Sequence, residues 1–280
     1  MRFIRFGERG NERPGIVDDD GAVRDLSGLI EALTPDMLSP ELIAHVAAAD
    51  GLPVVDLAGQ RIGAAIARPG TIWCIGLNYV DHANEAGMAI PSEPVVFSKA
   101  ASALSGPNDA IPFTDDMTKL DWEVELGIVI GRPAFRVSTA DALDHVFGYT
   151  LVNDVSERAW QLERGGQWIK GKSHPGFCPA GPWLVTRDEV PDPQALALRL
   201  EVNGEPMQDG TTADMIFPVA EIVSYLSRFA RLEPGDLICT GTPAGVGAGM
   251  SPARFLKPGD SVRLTIDGLG EQTQRVEALS

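Results

Sequence analysis

The stretch Asp121-Trp-Glu-Val-Glu-Leu-Gly-Ile-Val-Ile130 alternates apolar and acidic residues before turning wholly apolar. Read as a β-strand, it places Trp122, Val124, Leu126, Ile128 and Ile130 on one face and Glu123 and Glu125 on the other. Residues two apart on one strand face are roughly 7 Å apart. Two carboxylates at that spacing reach a single cation, and without one they repel each other. The plainest explanation of an isolated Glu-x-Glu is the solvent face of a half-buried antiparallel strand. A second apolar segment, Phe147-Gly-Tyr-Thr-Leu-Val-Asn-Asp154, runs into a third carboxylate where the pattern turns helical, Val155 to Glu163. Asp154 reads there either as a helix N-cap, with Glu157 completing a capping box, or as a third ligand. Arg158 and Gln161, four and seven residues further on, share one helix face above the same strand end. Three hard oxygen donors suit Mg²⁺, or Mn²⁺ or Ca²⁺, rather than zinc, and leave positions for water and a chelating 2-oxo acid.

The rest of the chain narrows the class. Its 280 residues suffice for one large domain with a smaller one, and 30 Gly and 21 Pro spread along it favour a turn-rich α+β fold. A formal charge of -16 argues against nucleic acid and anionic membranes, both of which need a basic face. The start, MRFIRFGERGNERPG, meets charge too soon for a secretory signal, and no apolar run reaches membrane-spanning length, so a cytoplasmic protein is expected. Cys74, Cys178 and Cys239 form no C-x-x-C pair and read as reduced, buried thiols.

Residues 1–65 read as a small N-terminal α/β domain: strands in RFIRF and GIVDDDGAVRDL, a turn at Asp20-Gly21, and a helix capped by Ser39 with Pro40 at its first position. Leu42, Ile43 and Val46 supply the apolar face of that helix, and His45 beside it reads as structural. The apolar run TIWCIG follows Arg68-Pro69-Gly70, which places a boundary near residue 66 and a β-rich domain over 66–280. Asn203-Gly204 and Gly268 mark hairpin turns, and Pro-Gly-Asp precedes a strand at 234–236 and again at 258–260. The spacing of Ile222, Val223, Leu226 and Phe229 predicts a helix over 219–230.

Leu77-Asn-Tyr-Val-Asp-His-Ala-Asn-Glu-Ala-Gly87 predicts a two-turn helix ended by Gly87, with His82 and Glu85 neighbours at i, i+3. Such a pair is either an exposed ion pair or a histidine base held by a carboxylate. Gly166-Gln-Trp-Ile-Lys-Gly171-Lys172-Ser173 spells a phosphate loop, but a helical segment precedes it and His174-Pro175-Gly176 follows, so nucleotide binding is not expected. Gly241 to Gly247 lacks the helix a dinucleotide fingerprint requires.

The blocks GLNYVDHANEAG, WEVELGIVIG, GYTLVNDVSERAWQ, KGKS and TGTPAGVG, in this order, resemble the signature segments of the fumarylacetoacetate hydrolase family over roughly residues 70–265. The resemblance implies a mixed β-roll catalytic domain, often dimeric, so a homodimer is expected. It implies metal ligation by Glu123, Glu125 and Asp154 and a water-activating pair at His82 and Glu85. Lys172, Arg158, Gln161 and Thr242 would face the substrate. Leu77 stands where many relatives carry arginine, and His174-Pro175-Gly176 replaces their Phe-Asp-Thr.

The implied activity is hydrolysis of a carbon–carbon bond in a 2,4-diketo acid. The opening segment and the GLNYVDHANEAG block resemble the sugar-acid branch, including hydrolases of 2,4-diketo-3-deoxy-L-rhamnonate that release pyruvate and lactate. Fumarylpyruvate or acylpyruvate hydrolysis, and decarboxylation or tautomerisation of oxaloacetate, are alternatives on the same scaffold. A noncatalytic acidic metal-binding module is the alternative of another class, and it has no need of the His82–Glu85 pair.

Overall fold

The computed structural model describes residues 1–279. Its centre is a pair of antiparallel strands, Val124–Ile130 and Val146–Asn153, in which every residue is buried. The strand is therefore covered on both faces, which removes the alternative of a half-buried strand with its glutamates on a solvent face. Nor does the strand run unbroken from Asp121. It begins at Val124, because side chains take over its first amide hydrogens. Asp121 Oδ1 accepts from Trp122 N at 2.9 Å, Asn153 Oδ1 from Glu123 N at 3.2 Å, and Gln208 Oε1 from Val124 N at 3.0 Å. The acidic end of the strand is thus held by polar side chains instead of a continuous ladder.

The central pair belongs to a ten-stranded mixed sheet. Across it the strands come in the order Val54–Val55, Val23–Asp25, Arg13–Val17, Arg2–Phe6, Trp183–Thr186, Val146–Asn153, Val124–Ile130, Leu237–Cys239, Ile72–Gly76 and Val95–Lys99. Leu237–Cys239 and Ile72–Gly76 pair parallel, while the other neighbours run antiparallel. The opening segment adds its strands to this sheet through Arg2–Phe6, which pairs with Trp183–Thr186. A five-stranded sheet of Glu205–Thr211, Ala197–Val202, Ser261–Ile266, Gly270–Ala278 and Ile111–Phe113 completes a β-rich α+β fold. Its alternating Leu198, Leu200, Val202, Val262, Leu264 and Ile266 join the same hydrophobic core as the central strands.

Local chemistry explains the turns. Asn203 and Gly204 take φ of 54° and 78°, the paired positive values that a two-residue hairpin turn requires. Ser39 caps the helix Pro40–Ala47 by accepting from Leu42 N at 3.4 Å, and Leu42 and Val46 are buried beneath it. His45 is exposed. Gly87, at φ 65°, ends the helix Val80–Glu85.

Two helical expectations need correction. The helix from Val219 stops at Leu226, and Phe229 is 71% exposed rather than part of an apolar face. Ser227 causes the stop: its carbonyl accepts from Arg136 N at 2.8 Å and its hydroxyl from Val137 N at 3.1 Å, so the chain tightens into i, i+3 bonds beyond it. Asp154 caps no helix. Ser156–Glu157 first pairs with Leu120–Asp121, and only then does the helix Arg158–Leu162 begin, with Glu157 as its cap accepting from Ala159 N at 3.1 Å.

The three cysteines are free and buried, and burial pushes the Cys74 thiol up to about 11. No helix among the described residues is long and apolar enough to cross a membrane.

A charged cluster fastens the opening segment to the later chain. Arg61 Nε and Nη2 donate to Asp109 at 2.7 and 2.6 Å, and Arg61 Nη1 and Arg5 Nη2 hold the two oxygens of Glu12 at 2.8 and 2.9 Å. Burial alone raises Asp109, but the Arg61 hydrogen bond, the Gly106 amide and the charge of Arg61 outweigh it and leave Asp109 below the usual aspartate value. A depressed folded value means that the stabilisation is present above the unfolded pKa and is lost as pH falls through the folded one. Replacing Asp109 with Asn is expected to lower the unfolding free energy by about 1–3 kcal/mol at pH 7. In urea titrations the gap from wild type should narrow as the pH falls through and below the usual aspartate range; a gap unchanged with pH would show that the contact acts by shape and not by charge.

Candidate metal centre and active site

The antiparallel register, with Val124 opposite Asn153, brings the start of one central strand beside the end of the other. Glu123 and Glu125 therefore meet Asp154, whose amide donates to Glu123 O at 2.9 Å. One oxygen from each of the three carboxylates lies within 4.8 Å of the others, and all three residues are buried.

Cations arrive from three directions. Lys172, on the single turn Ile169–Lys172, places Nζ 2.8 Å from Glu123 Oε2 and 2.8 Å from Asp154 Oδ2. Lys99, at the end of the strand Val95–Lys99, bonds Asp154 Oδ1 and, at 3.0 Å, the carbonyl of Val155. Arg158 donates from Nε to Asp121 Oδ2 at 2.8 Å and from Nη1 to Gln161 Oε1 at 3.0 Å. Its Nη2 lies 2.6 Å from Glu123 Oε1, an ion-pair distance whose angle falls outside hydrogen-bond geometry. Asp121 in turn accepts from Gly247 N at 2.7 Å and Ala248 N at 3.1 Å, which ties this arginine to the TGTPAGVG loop.

Among the described residues Glu125 has no cationic partner. Its one bond comes from Gly241 N at 2.9 Å. Burial, then the charges of Asp154 and Glu123, push it well above the usual glutamate value. Glu123 goes the other way: burial raises it, and the positive charges of Lys172 and Arg158 overcome that and hold it far below. Lys172 is itself raised, because Asp154 and Glu123 outweigh the cost of its burial. Asp121, Glu123, Glu125 and Asp154 against Lys99, Lys172 and Arg158 are four carboxyl groups and three cations, so Glu125 is the carboxyl group left without a counter-charge, which is why its neutral form is favoured until a cation arrives.

A divalent cation fits this set. The donors are all oxygen, each carboxylate oxygen keeps a second lone pair beyond the bond it already accepts, and the carboxyl group without a counter-charge is where a cation would reside. With a divalent ion bound and all four carboxylates ionised the net charge is about +1, which suits an anionic ligand.

Across the cleft, His82 Nδ1 lies 3.3 Å from Glu85 Oε2. Gly245 N donates to both Glu85 oxygens, at 3.0 and 3.2 Å. A carboxylate only accepts, so Glu85 favours a hydrogen on Nδ1, and in the neutral ring that tautomer leaves the Nε2 lone pair free. Glycine at 249 makes this possible, since a Cβ there would stand 2.3 Å from Glu85 Cδ. Gly245, at φ 102°, leaves no room either, its Cβ falling 1.9 Å from Met207 O.

These groups line one cavity of about 230 Å³ together with Leu77, Phe97, Gln161, Trp168 and Thr242. Every site residue named from the sequence lines it except Asp154, which sits behind the wall in the grip of the two lysines. Gln161 keeps its amide nitrogen without a partner among the described residues. Thr242 is more committed: its hydroxyl donates to Val124 O at 2.9 Å and accepts from Gln208 Nε2 at 2.7 Å, leaving one lone pair and the methyl group for a ligand. The apparent phosphate loop is a turn that delivers Lys172 to carboxylates. Gly176, packed against Pro112, lies outside the cavity.

Sequence reasoning missed Lys99, Asp121, Phe97 and Trp168. The only signal at Lys99 is a cation ending an apolar strand, VVFSK, where solvent would be the ordinary expectation. Asp121 stood in the alternating stretch but was read as its first residue and not as the anchor of Arg158.

A β-rich fold with a buried carboxylate triad and a histidine–glutamate pair facing it defines a candidate metal-assisted site for a small acid. The profile of the fumarylacetoacetate (FAA) hydrolase C-terminal region matches residues 71–277, and the chain belongs to the fumarylacetoacetate hydrolase family. It is 55% identical over 280 residues to a Burkholderia multivorans protein described no further than as a hydrolase, covering 99% of each chain. The fold is similar to that of 5-carboxymethyl-2-hydroxymuconate delta-isomerase from Mycobacterium smegmatis, with TM-score 0.79, 34% identity and 100% of both chains covered. It is also similar to maleylpyruvate hydrolase from Sphingobium sp. SYK-6, solved with manganese(II) and pyruvate, with TM-score 0.82, 31% identity and 100% of both chains covered.

The uncompensated charge at Glu125 gives a prediction that runs against ordinary intuition for a ligand residue. Glu125→Gln removes a buried carboxylate yet keeps an acceptor for Gly241 N, so in the presence of chelator the variant should melt about 2–5 °C higher than wild type. The upward shift that Mn²⁺ gives to wild type should shrink by at least about half, because one donor is gone. A variant that melts lower in chelator would mean that Glu125 is not a charge awaiting a cation.

Proposed function

We propose that this chain is a divalent-metal-dependent hydrolase that cleaves the C3–C4 bond of a 2,4-diketo acid and releases pyruvate. The observation that carries the reading is that His82 and Glu85 line one cavity with Glu123 and Glu125, whose carboxylates cluster with that of Asp154 behind the wall. A module that only held metal would not need a histidine with a free nitrogen facing it. The pyruvate and manganese(II) bound in the Sphingobium relative support a divalent ion and a pyruvate ligand at such a site. Mg²⁺ is the expected ion, with Mn²⁺ or Ca²⁺ able to replace it. We place the reaction in a cytoplasmic homodimer.

Bound there, the ion would act as a Lewis acid on the 2-oxo acid end of the substrate. The remaining work falls to the chain. His82 Nε2 takes a proton from water, and Glu85 holds the ring in the required tautomer and offsets the charge the ring acquires. The water oxygen adds to C4, the C3–C4 bond breaks, and its electron pair stays with C3. C3 then accepts a proton and leaves as pyruvate, while the C4 half leaves as a carboxylic acid. Lys172 and Arg158 supply fixed positive charge beside the oxo acid, and the Gln161 amide offers a donor for its carboxylate.

Pyruvate release from a 2,4-diketo acid should stop on addition of chelator and return with Mg²⁺ or Mn²⁺. Glu85→Gln should lower kcat by about 10²–10⁴-fold while Mn²⁺-dependent pyruvate binding, followed by calorimetry, stays within a few-fold of wild type. Unchanged turnover would remove the proposed base. Formation of an isomerised diketo acid without pyruvate would move the chain to the isomerases that its Mycobacterium relative represents.

A further inference from the structure

A second cavity, of about 170 Å³, opens where the opening segment meets the later chain, and it shares no lining residue with the first. Four arginines line it: Arg5, Arg9, Arg61 and Arg68. Two carboxylates answer them, Glu12 in the grip of Arg5 and Arg61, and Asp109 in that of Arg61. Four guanidinium groups against two carboxylates leave two positive charges over, in a chain whose formal charge is -16. Arg9 and Arg68 carry that surplus, since both are exposed and neither pairs with a carboxylate among the described residues. Their charges reach the cluster. Burial lowers the Arg5 pKa, Glu12 offsets part of that, and Arg61 and Arg68 lower it again. Against the burial that raises Asp109, Arg9 adds its charge to that of Arg61. Arg5 is only 9% exposed, and its Nε has no acceptor among the described residues. Glycine at 106 lets the segments close on one another: its amide donates to Asp109 Oδ2 at 2.8 Å, and a Cβ there would stand 2.4 Å from Ile62 O. Arg68 takes φ 48°, a left-handed conformation uncommon for a residue with a side chain and often kept where a ligand is held.

We propose that this cavity binds a compact dianionic oxyanion, inorganic phosphate or the phosphoryl group of a small ester, between Arg9, Arg68 and Arg5. Like charges gathered at one place repel unless an anion lies among them, and an anion of charge two matches the surplus. Guanidinium groups offer paired N–H donors in a fork that fits phosphate oxygens. The space is smaller than the roughly 300 Å³ at which pockets for larger organic ligands begin, so the occupant is small. A nucleic acid is disfavoured by the acidic chain around the cavity. The site is not catalytic. Its arginines come from the opening segment, at Arg5 and Arg9, and from the stretch that leads into the later chain, at Arg61 and Arg68, while Leu104 and Gly106 close it from beyond. An anion bound there therefore fastens the first strands to the rest of the molecule.

The test is titration of phosphate into the Mg²⁺-loaded protein in a zwitterionic buffer, read by calorimetry and by thermal melting against sodium chloride of equal ionic strength. Saturating phosphate should raise the melting temperature of the wild type by at least about 3 °C beyond chloride. In the double variant Arg9→Gln, Arg68→Gln the dissociation constant for phosphate should rise by at least about tenfold. Neither arginine holds an ion pair, so the variant is expected to fold, and its melt in chloride verifies this. Methyl phosphate binding as tightly as phosphate supports a site for small esters, and its failure to bind supports a site for the free ion. Malonate binding as tightly as phosphate overturns the choice of a tetrahedral ion. A wild-type shift no larger than that of chloride overturns the site without recourse to any variant. Phosphate affinity unchanged in the folded double variant overturns it as well and traces the anion to the metal cavity.

Discussion

The ammonium group of Lys172, shared between Glu123 and Asp154, is the contact on which the site is assembled. Carboxylates so close together and so deeply buried cannot all remain charged without help, and the chain supplies help unevenly. Lys172 and Lys99 satisfy Asp154, and Lys172 and Arg158 satisfy Glu123, while Glu125 receives only a backbone amide. The imbalance is what makes the cluster a candidate for holding an ion. A fully paired cluster would be an inert salt-bridge network, and an unpaired one would not stay folded around its charges.

The arrangement follows from how two strands end. Val124–Ile130 and Val146–Asn153 are buried throughout, so a one-residue slip would send every side chain to the opposite buried face and spoil the packing on both. That rigidity fixes where Glu123, Glu125 and Asp154 lie relative to one another. The elements that bring the counter-charges are short and local: a one-turn helix for Lys172, a strand terminus for Lys99, a five-residue helix for Arg158. A stiff platform for the anions and adaptable carriers for the cations and the base suit a site that must admit a ligand.

Much of this was legible in the residues. The Glu123–Glu125 spacing, the third carboxylate at the end of an apolar run, the His82–Glu85 helix with its glycine stop, and the Asn203-Gly204 turn each carry local chemistry that survives folding. What could not be read was long-range. Nothing near Lys99 or Asp121 in the chain indicates that one will be buried against Asp154 and the other against Arg158, because both contacts depend on strands distant in sequence. The misread strand start has the same origin, since the acceptors for the Glu123 and Val124 amides come from Asn153 and Gln208. Asp154 looked like a helix cap because a carboxylate before an amphipathic segment usually is one; the short pairing of Ser156–Glu157 with Leu120–Asp121 moved that task to Glu157. The helix from Val219 ended early for a comparable reason, with Ser227 captured by Arg136 and Val137.

Gln208 shows how far the centre reaches. From the hairpin strand Glu205–Thr211 it accepts from Val124 N and donates to Thr242 Oγ1 and to Pro243 O at 2.9 Å, so one side chain of the outer sheet joins the strand that carries Glu125 to the glycine loop behind Glu85. Side chains alternate along a strand, so adding or deleting a single residue in the surface turn before it would rotate this amide to the opposite face. The Val124 amide would then be sealed in hydrocarbon with nothing to accept its hydrogen. A turn open to solvent, remote from any substrate, is in this way answerable for the alignment of the acids at the heart of the molecule.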